Sequence, residues 1–369
     1  MARYLFASHD GFGLGHVRRN TLVGRAILRR DPQAEITLVT GLPMRPAWLG
    51  DDRLRVVGVP SLLKDSTGAY QHQSLAFEDA IAARAQAFRR AVRDVRPHAV
   101  VVDRHPYGIG GELRTGLDEA KAAGAALVLG LRDVLDEPRT VARELAGDGW
   151  AGVGERFDAV LVYGQPVMCD HQAEYGLPVA PRYCGWVVET PAPQPREAGL
   201  LVVSGGGGGD GAAVFGLGAE LAATRQAHGG RVVIVSGPYA THDFGAPDGV
   251  EVVAEAAGCV DLFARAQAVV QMAGYNSTFE SLAAGIRPIL VPRRRPRREQ
   301  AIRAARLAAL GLADVVDEGA PSQEVEWLLR RDRMLAPDAL QLAGITLNGA
   351  DRAAAAIESL VAAAVPTSA

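Results

Sequence analysis

The chain has 369 residues, 48% of them hydrophobic and 22% charged, with a formal net charge of -3. This is the balance of a folded globular protein, which excludes a disordered or fibrous chain, and near-neutrality argues against a nucleic-acid binder or a polybasic membrane anchor. The length exceeds one ordinary domain, so two domains of ~150 to 190 residues are expected.

The chain opens on a strand-like run, RYLFA, followed by the loop SHDGFGLGHVRRN at residues 8–20 and a helical stretch. Further β-rich runs are EITLVT, LRVVGVP, HAVVVD, AALVLGL and DAVLVYG, with amphipathic segments between several of them. In the longest segment, FEDAIAARAQAFRRAVRDVRP, Ile81, Ala85, Phe88 and Val92 recur at helical spacing. Continuous apolar strands alternating with helices specify a parallel sheet covered on both faces, a doubly wound α/β domain.

At ETPAPQPREAG the hydrophobic pattern stops, and this proline-rich stretch reads as a linker. The alternation restarts with LLVVSGGGGGDG, RVVIVSG, AQAVVQMAG, STFESLAAG, PILVP and EQAIRAARLAALG. The expected division is a first α/β domain at 1–188, a linker at 189–198, a second α/β domain at 199–345, and an alanine-rich helix and tail at 346–369 that packs back on the first domain. Cys169, Cys184 and Cys259 are scattered without CxxC spacing, so a reducing, cytoplasmic setting is expected. No leader pattern and no apolar run of membrane-spanning length is visible, which leaves peripheral membrane contact open.

In open α/β sheets, ligands bind beyond the carboxyl ends of strands, and glycine loops lie at two such ends. The first carries Gly11, Gly13, Gly15 and His16, where glycines allow substrates to approach the backbone. His16 stands where a helix N-terminus keeps an imidazole neutral and able to accept a proton, which makes it the candidate general base. His9, Asp10, Asp103 and His105 fall at strand ends of the same domain and are candidates to orient an acceptor or assist His16. Arg18 and Arg19 fit equally well as surface residues of the helix. The second loop begins at Ser204 and runs through Gly205, Gly206, Gly207 and Gly208, a backbone cradle suited to a diphosphate.

In the second domain, GYNSTFESLAAGIRPILVPRRRPRREQAIRAARLAALGLA reads as a strand ending at Gly274, a polar turn with Tyr275, Asn276 and Ser277, and a helix presenting Glu280. An arginine loop from Arg293 then leads to Glu299 and Gln300 at the start of another helix. Rigid carboxylates are acceptors for sugar hydroxyls. Ser277 and Glu280 also have the spacing of a capping box, Glu299 and Arg303 that of a helical ion pair, with Ile302, Ala305 and Ala309 as the buried stripe. The arginine run also reads as a solvated surface loop.

The segment from Gly274 to Ala313 resembles the donor-binding signature of GT-B glycosyltransferases, both the MurG-like family 28 acting on lipid-linked muropeptides and the family that glucosylates small natural products. With the loop at residues 11–19, LRDVLDEP at 131–138 and the glycine run, it is most similar to a bacterial group of predicted glycosyltransferases with an N-terminal GxGHxRR loop. The resemblance implies two Rossmann-like domains facing each other across a cleft, and a nucleoside-diphosphate sugar, expected to be a UDP-sugar, as co-substrate with no other cofactor. It implies that Glu280 binds ribose hydroxyls, Glu299 and Gln300 the sugar, Ser277 and the 204–208 loop the diphosphate, and that Tyr275 lies near the base.

Met272 stands where the natural-product group has a phosphate-binding histidine, which shifts that task to backbone amides and Arg293. No DxD pair occurs, so metal-independent chemistry is expected; the resemblance implies inverting transfer of a hexosyl or N-acetylhexosaminyl group to a small-molecule, lipid or saccharide hydroxyl. Two other readings use the same residues: a nucleotide-sugar hydrolase in which His16 activates water, and a binding protein without turnover.

Overall fold

The computed structural model describes residues 1–8, 14–42, 53–64, 69–206, 211–237, 248–253 and 259–364. They divide into two compact units, Met1–Val187 with Asn348–Ala369, and Val188–Leu347. Among the described residues no helix is long and apolar enough to cross a membrane.

In the first unit, β1 (Arg3–Ala7), β2 (Glu35–Thr40), β3 (Leu54–Gly58), β6 (Ala99–Asp103), β7 (Ala126–Arg132), β8 (Ala159–Tyr163) and β9 (Arg182–Tyr183) form one sheet in the order β3-β2-β1-β6-β7-β8-β9. Every pairing in it is parallel. A small antiparallel pair, β4 (Leu63–Lys64) and β5 (Tyr70–Gln71), stands apart. The central strands AVVVD and AVLVY are buried at every position. Runs of this kind cannot alternate polar and apolar because helices cover both faces. Those helices are α1 (Gly15–Arg30), α2 (Phe77–Val95), α3 (Arg114–Ala122), α4 (Pro138–Leu145), α5 (Val153–Arg156) and α6 (His171–Tyr175).

The face of α2 differs from the expected stripe. Phe88 and Val92 are buried, but Ile81 and Ala85 are only half-buried, and Ala80, Arg84, Ala91 and Val95 complete the inner face. An arginine occupies the core side because Glu112 lies buried opposite, with Arg84 Nε donating to its carboxylate at 3.0 Å.

The second unit repeats the plan with β10 (Leu200–Ser204), β11 (Arg231–Val235), β12 (Glu251–Val253), β13 (Ala268–Gln271), β14 (Ile289–Leu290) and β15 (Asp314–Val315), ordered β12-β11-β10-β13-β14-β15 and again wholly parallel. Its helices are α7 (Ala212–Gln226), α8 (Cys259–Arg265), α9 (Tyr275–Ala283), α10 (Glu299–Ala309), α11 (Ser322–Leu329) and α12 (Ala339–Leu342). The end of the proline-rich stretch is stitched to this unit. Arg196 donates to the carbonyls of Phe263 and Ala266 at 2.9 Å each and to that of Ala284.

The last helix, α13 (Gly349–Ala364), belongs to the first unit and packs along α1. Arg29 pairs with Asp351 at 2.8 Å and Arg30 with Glu358 at 2.6 Å, both at the surface, where water and salt screen such pairs. Close backbone contact fixes the helix start more firmly. The Gly349 amide donates to the Trp186 carbonyl at 3.0 Å, and a Cβ at this position would lie 2.4 Å from the Gly185 carbonyl oxygen. Gly349→Ala should therefore destabilise the first unit by about 1–3 kcal/mol, the cost of overpacking against atoms that cannot swing away. The check is urea unfolding of the full chain beside Gly216→Ala, a helical position with nothing within 4 Å, which should hold or gain stability.

Candidate functional site

A doubly wound sheet has one place where its strand order reverses, and neighbouring loops there part to either side, leaving a crevice at the carboxyl edge. In the first unit the reversal lies between β1 and β6. The chain leaving β1 starts α1 at Gly15, with His16 as its second residue, and β6 ends on Asp103. His16 and Asp103 meet there, with Nδ1 3.0 Å from Oδ2. The aspartate side chain is fully buried and the histidine side chain 19% exposed.

Arg19, one turn further along α1, completes a triangle. Its guanidinium donates to both Asp103 oxygens, at 3.2 and 3.0 Å, and the same nitrogen lies 2.9 Å from His16 Nδ1. Buried to 2% exposure, Arg19 is thus a site residue rather than a surface one. Burial pushes the His16 imidazole below its ordinary pKa; the Asp103 carboxylate opposes this, while Arg19 and Arg132, at the end of β7, reinforce it.

Asp103 is held by a strained turn. The His105 amide donates to the Asp103 carbonyl at 3.0 Å, closing a three-residue turn, and Arg104 between them has φ of 74°. A non-glycine residue there costs of order 1–3 kcal/mol and persists only when its surroundings hold it. Here the Arg104 amide donates to the Gly130 carbonyl at 2.9 Å and its guanidinium to Glu144 at 2.8 Å. His105 itself lines a small pocket together with Ser8, Asp103, Phe88, Arg84 and Glu112. His9, Asp10, Gly11 and Gly13 lie outside the described residues.

In the second unit the reversal lies between β10 and β13. Ser204 ends β10, and its carbonyl accepts the Met272 amide just past β13 at 3.1 Å, tying the two carboxyl ends together. The Gly206 amide donates to Ser204 Oγ at 3.2 Å. A Cβ on Gly205 would lie 2.3 Å from the Phe215 ring and 3.2 Å from Gly211 Cα, so the base of this loop is a packed turn that only glycine fits. Gly207 and Gly208 lie outside the described residues.

Gly274 is the N-cap of α9, and Tyr275, Asn276 and Ser277 already belong to its first turn instead of preceding it. The capping-box alternative fails for that reason, since Ser277 is the third helical residue and Glu280 the sixth. No side chain caps this helix. Glu280 is 1% exposed, and Tyr275 is turned inward against Phe279, with ring centroids 5.7 Å apart.

The inner face of α10 is polar. Glu299, Gln300, Arg303, Ala304 and Leu307 are buried, whereas Ala305 and Ala309 of the expected stripe are exposed and Ile302 is half-buried. Arg293 organises the two leading residues: its amide donates to Gln300 Oε1 at 3.2 Å and its guanidinium to Glu299 Oε1 at 2.9 Å. Arg303 donates to the Ala273 carbonyl at 2.7 Å, anchoring α10 to the turn that opens α9. Of the arginine run, Arg294, Arg295 and Arg298 are exposed, so the surface-loop reading holds for them and not for Arg293.

Helical spacing alone left Arg19 open between site and surface and gave Arg303 only as a partner for Glu299; the structure bonds Arg19 to Asp103 and Arg303 to the Ala273 carbonyl. Among the described residues no group of three or more His, Cys, Asp and Glu side chains is placed to hold a metal ion.

No protein-family model and no curated protein sequence matches the chain. Solved structures do. The glycosyltransferase SnogD from Streptomyces nogalater is 18% identical, with 99% of each chain covered and a TM-score of 0.65. MurG from Acinetobacter baumannii is 14% identical over 97% of this chain and 100% of its own, with a TM-score of 0.59. A UGT transferase from Siraitia grosvenorii, solved in complex with UDP, is 14% identical over 98% of this chain and 100% of its own, with a TM-score of 0.61. With two doubly wound parallel units and these likenesses over nearly the whole length, the chain has the GT-B fold.

Proposed function

We propose that the protein is a metal-independent, inverting glycosyltransferase that moves a sugar from a nucleoside-diphosphate sugar, a UDP-sugar in the first instance, to an acceptor hydroxyl. The observation that carries this reading is the His16–Asp103 pair at the β1/β6 reversal, a buried carboxylate on one ring nitrogen of an imidazole held neutral. His16 Nε2 accepts the proton as the acceptor oxygen bonds to the anomeric carbon, and the bond from that carbon to the diphosphate breaks. The acceptor hydroxyl is received at the carboxyl edge of the first-unit sheet, where His16 stands beside Asp103.

The second unit serves the donor. Glu280 accepts from ribose hydroxyls, Glu299 and Gln300 engage the sugar, and the first-turn amides of α9 with the Ser204–Gly206 turn receive the diphosphate. Negative charge at a helix N-terminus is favourable by about 0.3–1 kcal/mol, and up to ~2 when partly buried. The UDP complex of the Siraitia grosvenorii enzyme, which shares this fold, supports a nucleotide donor.

Glu280→Ala should weaken UDP-sugar binding by ~10- to 100-fold, the loss of one or two charged hydrogen bonds, as read by calorimetric titration. His16→Ala should bind the donor as before and turn over ~10²- to 10⁴-fold more slowly. Mass spectrometry of a pool of UDP-, dTDP- and GDP-sugars, without and then with an acceptor library, checks both. Rapid free-sugar release without acceptor makes the enzyme a hydrolase, and an unchanged rate in His16→Ala removes His16 from the chemistry.

Because the base must be unprotonated and its pKa is lowered, turnover should rise through a midpoint below the ordinary histidine value of 6.5 and be level at neutrality. An acid limb centred above 6.5 in the pH–rate profile contradicts this.

A further inference from the structure

Two groups share one carboxylate charge at the β1/β6 reversal. Oδ2 of Asp103 is 3.0 Å from both His16 Nδ1 and the Arg19 guanidinium, and Arg19 also reaches Oδ1. A guanidinium is cationic at any working pH. Were His16 protonated as well, two cations would face one carboxylate among side chains almost wholly removed from water, an arrangement with an uncompensated charge. The neutral imidazole has a single N–H, and an ionised carboxylate offers only lone pairs. Proton on Nδ1 gives a charge-assisted hydrogen bond to Asp103; proton on Nε2 sets two lone pairs against each other at 3.0 Å. The guanidinium nitrogen, 2.9 Å from Nδ1, competes for the second arrangement, but it has two hydrogens for three acceptors, and the ionised Asp103 oxygens at 3.2 and 3.0 Å are the stronger ones.

We infer that Arg19 is a positioning residue: by sharing Asp103 with His16 it keeps the imidazole neutral, with its proton on Nδ1 and its lone pair on Nε2. Its service to catalysis rests on the transferase reading above, whereas the arrangement itself does not. Arg132 at the end of β7 faces His16 from the neighbouring strand and acts in the same direction, as does the N-terminus of α1. Arg19 differs from both in bonding directly to the carboxylate. Once His16 has taken a proton, Arg19 makes the imidazolium a stronger acid, so the proton is released to solvent water, which the 19% exposed His16 side chain can reach, rather than stored.

The experiment is a pH titration of the full-length protein followed by ¹⁵N imidazole resonances, with His16 identified among the eight histidines by its loss in His16→Gln. Expected for the unaltered protein is a neutral His16 protonated at Nδ1, with a midpoint below 6.5. In Arg19→Met the carboxylate is left to His16 alone and the midpoint moves up; in Arg19→Lys the charge is retained and the midpoint stays near that of the parent. Should Arg19→Met fail to fold, Arg19→Gln keeps the side-chain hydrogen bonding without the charge and is read in the same way.

A His16 midpoint that does not rise in the uncharged variants makes Arg19 a packing residue and overturns the inference. So does a proton found on Nε2 in the unaltered protein. Neither donor nor acceptor enters this titration, so failure to detect sugar transfer counts against the proposed function alone.

Discussion

Both main sheets are wholly parallel, and that constraint decides where chemistry can be built. A parallel strand cannot return through a hairpin; it must cross over through a helix, so all the strand-to-helix loops of one unit gather on its carboxyl edge. Where the order reverses, at β1/β6 and again at β10/β13, residues distant in sequence arrive side by side. His16 and Asp103 are separated by 87 positions and lie 3.0 Å apart because their strands are neighbours. The Ser204 carbonyl and the Met272 amide meet for the same reason.

Around these edges the chain buries charge that a stability argument alone does not explain. Asp103 with Arg19, Glu112 with Arg84 and Glu299 with Arg293 are each a carboxylate with little or no exposed surface held by an arginine. Removing one member of such a pair typically costs 3–5 kcal/mol, yet replacing the pair by apolar side chains is often neutral or better. Buried pairs are therefore poor stabilisers and good positioners. Two of them border the first-unit pocket, and the third, in the second unit, fixes the leading residues of α10.

The strands were legible in the sequence because a sheet buried on both faces demands uninterrupted apolar runs, and HAVVVD, DAVLVYG and LLVVS leave no other reading. The short strands β9, β12 and β15 were not, since two or three residues carry no period. Side-chain placement was legible only in part. His16 and Glu280 were expected at the starts of helices following strands and stand on α1 and α9, but Arg19 and Arg84 lie on buried helix faces where charge is normally read as surface. A helical wheel assigns arginine outward unless a carboxylate is known to lie opposite, and Asp103 and Glu112 come from other segments of the chain. The capping-box alternative fails for a related reason: Gly274 ends the extended segment and is the N-cap, so α9 begins three residues earlier than a cap at Ser277 would place it.

One device, the positive end of a helix, serves opposite purposes in the two units. In the first, the start of α1 carries the His16 imidazole, whose burial, together with Arg19, Arg132 and the helix field, opposes protonation against the Asp103 carboxylate that favours it. In the second, α9 presents the same field with no side chain to cap it, beside a glycine turn too tight for any Cβ. A field that repels a proton and a field that attracts a phosphate are the same field. What distinguishes the two sites is the side chain at the helix start: an imidazole tied to a buried aspartate in one, and backbone amides in the other.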